Sequence, residues 1–348
     1  MSHSIYPRTD RSFTWRESSD FTRREWLAGI ALAGGLAELT GCLSGGPTAD
    51  VQLTNVSYDP TREFYEAYNQ IFTEHWRQKS GKTLNVKMSH GGSGRQARAV
   101  MDGIMADVVS LALAFDIDMI AEKTGLIDKD WRDRFPHNAS PYQSTIVFMV
   151  RKGNPKGIRR WEDLIRDDVE VITPHPKTSG AARYNFLAAW GYVLKRELDD
   201  FSPLTHPESS RVRAAEKVAE DFLGKMYRNV PVLDSGARGS TMMFTRNRIG
   251  DVLLNWENEA FLAIQEDSEA ELEIVVPELS ILAEPPVAMV DQVVRRRGTT
   301  EVARAYLEYL YAPEGQTLAA KHCYRPGRPE LVDPSILEKF ATPEMFSV

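Results

Sequence analysis

Cysteine is nearly absent from this 348-residue chain: Cys42 and Cys323 are the only two. Two thiols cannot build a disulfide framework, and no Cys-x-x-Cys spacing suggests a zinc site. Basic charge is also short. Forty-two Lys and Arg stand against 49 Asp and Glu, a formal net charge of −7. That argues against a general nucleic-acid binder, whose affinity rests on basic surface neutralising phosphates. The one sustained apolar run, residues 27–37, is too short to span a bilayer. Histidines such as His75, His90 and His322 are scattered, without a metal-ligand spacing like HExxH, and no Gly-x-Ser-x-Gly elbow is present. What remains is 42% hydrophobic and 26% charged, ordinary for a core-forming globular protein and long enough for one large or two ordinary domains.

The N-terminus carries an address. Thr22-Arg-Arg-Glu-Trp-Leu27 leads into the weakly apolar run, which ends in small residues. A charged start, an apolar stretch of about ten residues and a small-residue end make a signal peptide. The pair Arg23-Arg24 ahead of a bulky apolar residue resembles a twin-arginine export signal. Leu39-Thr40-Gly41-Cys42 is similar to a bacterial lipoprotein box. Residues 1–41 then form a cleavable signal, and Cys42 is the lipidated first residue of the mature chain. Residues 42–50, with Ser44-Gly45-Gly46-Pro47, are a flexible tether. Cys323 is left without a partner and reads as a small buried side chain.

Downstream, strand-like and helical patterns alternate without repeats. Residues 51–57 alternate like a strand and run into a helix from Pro60, whose apolar positions Phe64, Tyr68, Ile71 and Phe72 follow the 3.6 period. Asp59 stands as its N-cap, with Pro60 at the first helical position. Further strands are expected at 84–88, 107–111, 145–151, 169–173, 251–255, 272–276 and 287–290. Helices fall between them near 94–104, 115–122, 161–166, 181–197, 208–226, 239–247, 257–264, 299–311 and 313–321. The alternation implies α/β architecture with mostly parallel sheets. About 300 residues suit two α/β lobes better than one sheet. Crossings near 142–147 and 280–287 would assemble the first lobe from 51–145 plus about 286–322. The second would take 146–285 plus about 323–348. Clefts between such lobes are where small ligands bind.

Four junctions share one composition: Ser57-Tyr-Asp-Pro-Thr61, Ser89-His-Gly-Gly-Ser-Gly-Arg95, Pro176-Lys-Thr-Ser-Gly-Ala-Ala-Arg183 and Asp234-Ser-Gly-Ala-Arg-Gly-Ser240. Each opens a helix. A helix start leaves N–H groups unpaired and carries about half a positive charge. Gly and Ser there let a ligand approach the backbone closely, and several such starts converging on one point make an oxyanion site. One such loop alone is only a turn and a cap. Neither Gly-rich loop has Walker-A spacing or the dinucleotide fingerprint, which excludes nucleotide binding on spacing. Trp256, just past an apolar strand, adds an indole that can only donate, suited to an anion with nothing to give back.

These segments resemble the periplasmic sulfate-binding proteins. So do Ala106-Asp-Val-Val109, Arg151-Lys-Gly-Asn-Pro155, Trp256-Glu-Asn-Glu-Ala260 and Ile281-Leu-Ala-Glu-Pro285, and the likeness covers about residues 51–326. The resemblance implies an α/β, two-lobed periplasmic-binding-protein fold of the type II, flytrap kind. It implies the substrate-binding subunit of an ABC importer for sulfate, some relatives taking thiosulfate. Such a protein works as a monomer with a membrane permease as partner, without cofactor, metal or catalytic residues. Matched one by one, the ligand contacts fall on Asp59 and Ser93 in the first lobe, and on Ser179, Gly180, Ala181, Ala237 and Trp256 in the second. Asp59 would contribute its main chain, and Ala181 stands where relatives often have Gly. Arg95 and Arg238 would lend longer-range positive potential. The stretch 195–211 departs from the family pattern as a surface variation. The chain also stops at Val348, short of the family's helical tail, which would leave apolar surface uncovered. Two other readings stay open: a thiosulfate-preferring receptor, and an exported enzyme, since twin-arginine export serves cofactor-loaded folded proteins.

Overall fold

A computed structural model describes residues 49–266 and 271–347. The export signal of residues 1–41, the lipidation residue Cys42 and most of the 42–50 tether lie outside them. The first half runs β1 (Val51–Tyr58), α1 (Arg62–Ser80), β2 (Leu84–Gly91), α2 (Ser93–Met101), β3 (Val108–Ser110), α3 (Ala114–Thr124), α4 (Pro136–Ala139) and β4 (Tyr142–Arg151). It continues with β5 (Val171–Ile172), α5 (Gly180–Leu198), α6 (Ser210–Arg228), α7 (Ala237–Thr245), β6 (Val252–Trp256), α8 (Glu257–Glu266), β7 (Leu272–Val275) and β8 (Leu279–Ala283). The chain closes with β9 (Val287–Met289), α9 (Asp291–Arg297), α10 (Thr300–Tyr309), α11 (Pro313–Lys321), β10 (Arg325–Pro326), α12 (Pro334–Leu337) and β11 (Glu344–Phe346).

Local chemistry sets these boundaries. In α1 the residues Phe64, Tyr65, Tyr68, Phe72 and Trp76 are buried along one face, an apolar stripe at the helical period. Arg77 and Lys79 fall in its last turn, and Gly81 ends it with φ 72, the left-handed cap that glycine adopts without steric cost. The expected cap at Asp59 is corrected. Pro60 instead sits in a 3-10 turn over Asp59–Thr61, and Thr61 occupies the N-cap of α1 without a side-chain cap bond. The segment expected to be helical near 161–166 is likewise a short 3-10 turn, Trp161–Ile165.

Two sheets organise the fold. The first has strand order β2-β1-β3-β9, with β2, β1 and β3 parallel and β9 antiparallel. Helices α1, α2, α3, α9 and α10 contribute to its core, in which Phe64, Tyr65, Tyr68 and Phe72 are almost fully buried. The second runs β11-β8-β4-β6-β5. The expectation of mostly parallel sheets fails here: β4 is antiparallel to β6, β7, β8 and β10, and only β5–β6 and β11–β8 are parallel. The reason is topological, because β4 enters from the first sheet and the later strands fold back upon it. The second core draws on β4, α5, α6, β6 and β8 and includes Trp161 and Trp256. Connections between the sheets touch one another: the Ser140 hydroxyl donates to the Glu284 carbonyl at 3.0 Å.

The last strand, β11, lies parallel to β8, with Phe346 opposite Ile281. The Phe346 ring sits 5.0 Å from that of Phe201, so part of the 195–211 stretch packs against the last strand. It also fills the notch left by Gly191, where an added Cβ would lie 2.1 Å from Cζ of Phe346. Gly191→Ala therefore expels the ring and costs about 1–3 kcal/mol of stability. Urea unfolding checks this: the penalty should vanish when Gly191→Ala is introduced into a Phe346→Ala protein, and persistence there refutes the notch.

Candidate functional site

The first lobe contributes two of the residues singled out in the sequence. Asp59 directly follows β1, and its carboxylate lies 3.7 Å from the Arg62 guanidinium. Burial pushes the Asp59 carboxyl up, with Arg62, Arg238 and Arg95 pulling the other way. Ser93 is the first residue of α2, behind Gly92 at the N-cap. Its hydroxyl donates to Asp116 and accepts the Ala112 N–H at 2.9 Å. The Ser93 hydroxyl is therefore engaged at both its proton and its lone pair. That oxygen is held inside the first lobe, and only the main-chain N–H at the helix start remains to donate.

The second lobe supplies the rest. Ser179 caps α5, its Oγ accepting the Ala182 N–H at 3.3 Å, so the hydroxyl proton stays available as a donor. Gly180 and Ala181 follow in the first turn, whose N–H groups have no intrahelical partner. Ala181 and Ala237 are buried in the second core together with Trp256. Ala237 opens α7 behind Gly236. Trp256 ends β6 and is 0% exposed, and its Nε1 has no hydrogen-bond partner. The indole is held between Tyr58, at 5.5 Å, and Tyr184, edge-on at 5.2 Å.

These elements meet. A Cβ added at Gly180 would stand 3.0 Å from Cβ of Ser93 and 2.4 Å from Cβ of Ala112. At Gly92 it would stand 2.5 Å from the Thr178 carbonyl oxygen and 3.2 Å from that of Ser235. At Gly236 it would stand 2.8 Å from Oδ2 of Asp59. The start of α2 thus abuts the loops before α5 and α7, the Asp59 turn abuts the start of α7, and Tyr58 abuts Trp256. All seven predicted residues lie on the elements joined by these contacts.

Two ion pairs flank the meeting place. Arg183 of α5 donates to both oxygens of Asp116 of α3 at 2.8 and 2.7 Å. Arg238 of α7 donates to both oxygens of Glu63 of α1 at 2.8 Å and lies 3.7 Å from Glu259. The long-range potential expected from Arg238 is thereby largely compensated. Asp116, Arg183, Glu63, Tyr58 and Tyr184 were not singled out in the sequence as site residues. The acidic and basic members of the pairs lie 67 and 175 positions apart, and no local pattern could join them. Tyr58 and Tyr184 could have been marked, since each falls inside or beside a junction already chosen.

His90, near the end of β2, is pushed down to about 4, chiefly by burial and then by Arg62, so it is neutral at physiological pH. Among the described residues no group of three or more His, Cys, Asp and Glu could hold a metal. No helix among them is long and apolar enough to cross a membrane. Helix starts, one free hydroxyl and one indole give the site neutral donors.

Two α/β lobes meeting through such donors define a solute-capturing protein, and comparisons with known proteins agree. A family model described as bacterial extracellular solute-binding protein matches residues 59–325. The sulfate-binding protein of Escherichia coli (strain K12) is 57% identical over 277 residues, covering 80% of this chain and 79% of its own. The thiosulfate-binding protein of Pseudomonas aeruginosa is 45% identical over 317 residues, covering 91% and 89%. Among solved structures, the sulfate-binding protein SubI from Mycobacterium tuberculosis superposes with a TM-score of 0.73 at 28% identity, covering 85% of this chain and 94% of that one. The chain belongs to the bacterial extracellular solute-binding proteins, in the branch of its sulfate-binding relatives.

The depressed His90 has a consequence for stability. As pH falls from 6.5 toward about 4, the unfolded chain takes up a proton that folded His90 refuses. Stability attributable to this group is therefore complete above 6.5 and declines through that window, by up to about 1.4 kcal/mol per pH unit. His90→Gln should show a shallower loss in urea unfolding at pH 7, 5.5 and 4.5. Identical slopes in the two proteins would remove His90 from the account.

Proposed function

We propose that this protein is an exported receptor that captures sulfate between its lobes and delivers it to an ABC importer in the membrane. The observation that carries the reading is the buried Trp256 Nε1 without a partner, beside the meeting of three helix starts. A buried donor left unsatisfied costs about 1–3 kcal/mol, and an anion accepting from it removes that cost. In this reading the ligand takes main-chain N–H groups of Asp59, Ser93, Gly180, Ala181 and Ala237, the Ser179 hydroxyl and the Trp256 indole. The N–H groups of Ser93, Gly180, Ala181 and Ala237 stand at the positive ends of aligned rows of peptide dipoles. The Ala181 methyl belongs to the second core, so its N–H keeps its place in the first turn of α5.

Selectivity follows from the donor set. Sulfate near neutral pH is fully ionised and only accepts. Protonated phosphate brings an O–H that needs an acceptor, and a pocket built of donors leaves it unpaired at about 1–3 kcal/mol. Donors come from both lobes, so the site is complete only when the lobes are together. The Arg183–Asp116 and Arg238–Glu63 pairs join only in that state, and a permease can read the joined surface. The protein acts as a monomeric carrier; the reading needs neither cofactor nor reaction.

Calorimetric titration of wild type and Trp256→Phe with sulfate, thiosulfate and phosphate tests the reading. Sulfate should bind wild type at least about tenfold more tightly than phosphate, and the variant should lose about 10- to 100-fold for sulfate. Phosphate competing at equal affinity, or a variant binding like wild type, overturns it.

The reading extends to the N-terminus: residues 1–41 direct twin-arginine export, and lipidated Cys42 tethers the mature chain outside the cytoplasm. Mass spectrometry of the protein from membranes should find a mature N-terminus at a diacylglyceryl-modified Cys42, and Cys42→Ala should release the protein into the soluble fraction. An unmodified N-terminus elsewhere rejects the tether.

A further inference from the structure

An indole serves as a donor only when it is aimed, and Trp256 has little backbone of its own to aim it. β6 ends at Trp256 and α8 begins at Glu257 with no residue between them. Whatever fixes the Glu257 side chain therefore fixes the strand-to-helix turn that carries the indole. That side chain is 2% exposed, too deep for a carboxylate to stand alone. Its partner comes from 68 residues away: Arg325 Nε donates to one oxygen at 2.7 Å and Nη2 to the other at 2.8 Å. This is the two-pronged geometry a guanidinium offers and an ammonium does not.

Arg325 is anchored in turn. It lies in β10, where Arg325 and Pro326 pair with Gln143 and Tyr142 at the start of β4. Its Nη2 also donates to the Ala341 carbonyl at 2.6 Å, and its guanidinium stands 5.3 Å from the Phe340 ring. One side chain thereby ties the exit of the indole strand to the beginning of β4 and to the C-terminal segment.

We infer that Arg325 is a positioning residue for ligand binding, clamping Glu257 so that the Trp256 N–H points into the site. Without the fork, the Glu257 carboxylate is buried and unpaired, and it escapes by turning outward or by taking a proton. Either change rotates the first turn of α8 and with it the indole. The inference rests on the sulfate-receptor reading and goes beyond it, because Arg325 is not among the residues proposed to touch the ligand.

The test is a double-mutant cycle read by sulfate calorimetry, using Arg325→Gln and Glu257→Gln, each alone and combined with Trp256→Phe. Thermal melts verify that every variant is folded. Arg325→Gln should weaken sulfate binding about tenfold in the wild-type background, yet change it by no more than about twofold when Trp256 is already Phe. Near-UV circular dichroism should change with Arg325→Gln in the first background and not in the second. Should Arg325→Gln fail to fold, the milder Glu257→Gln carries the same cycle with the same expectation. Equal losses in both backgrounds, or no loss in either, overturn the positioning role. A Trp256→Phe protein that binds sulfate like wild type instead overturns the receptor reading, and that single variant reports this separately.

Discussion

A helix cannot satisfy the first N–H groups of its own backbone, and the rest of this architecture depends on where that deficit is directed. Helices α2, α5 and α7 begin at Ser93, Gly180 and Ala237, and contacts across the two lobes bring those beginnings to one region. Directed at solvent, the same groups would be hydrated and inert. Brought together between two lobes, as the proposed site requires, they would form a cradle whose positive character comes from peptide geometry rather than from ionised side chains.

The surrounding side chains keep that cradle neutral. Asp116 accepts from both the Ser93 hydroxyl and Arg183, and Glu63 accepts from Arg238. Arg183 and Arg238 thus each meet a carboxylate, and His90 is held uncharged by burial and by Arg62. The absence of side chains at Gly92 and Gly180 is equally necessary, because a methyl at either would lie within 2.5 Å of an atom of the facing loop or strand end. Small residues set the distance of approach, and paired charges set its alignment.

Much of this was legible in the sequence, for identifiable reasons. The four Gly- and Ser-bearing junctions could be read because each opens a local helix pattern, three of them after a local strand pattern, and α1 announced itself through the spacing of Phe64, Tyr68 and Phe72. What escaped was non-local. The antiparallel hub at β4 depends on strands more than a hundred residues downstream, and β10 and β11 are too short to show a period. Nothing local shows that the Ser93 hydroxyl is engaged, because Asp116, which accepts from it, lies 23 positions away on another helix. Asp59 looked like an N-cap, but the proline after it began a tighter turn and moved the cap to Thr61.

Strand β4 joins what the two cores separate. Its first residues, Tyr142 and Gln143, bond to β10, the next two to β8, and the stretch from Ile146 onward to β6 and β7. A linker of that construction is a hydrogen-bonded ribbon, not a slack string. Ribbons flex across their thin dimension and resist shear along their breadth, so a hinge built on β4 would favour swinging of the halves over sliding. For a receptor that closes in that way, each return would bring the same amides back to the same register, and fidelity toward a tetrahedral guest would become a property of the suspension as much as of the pocket.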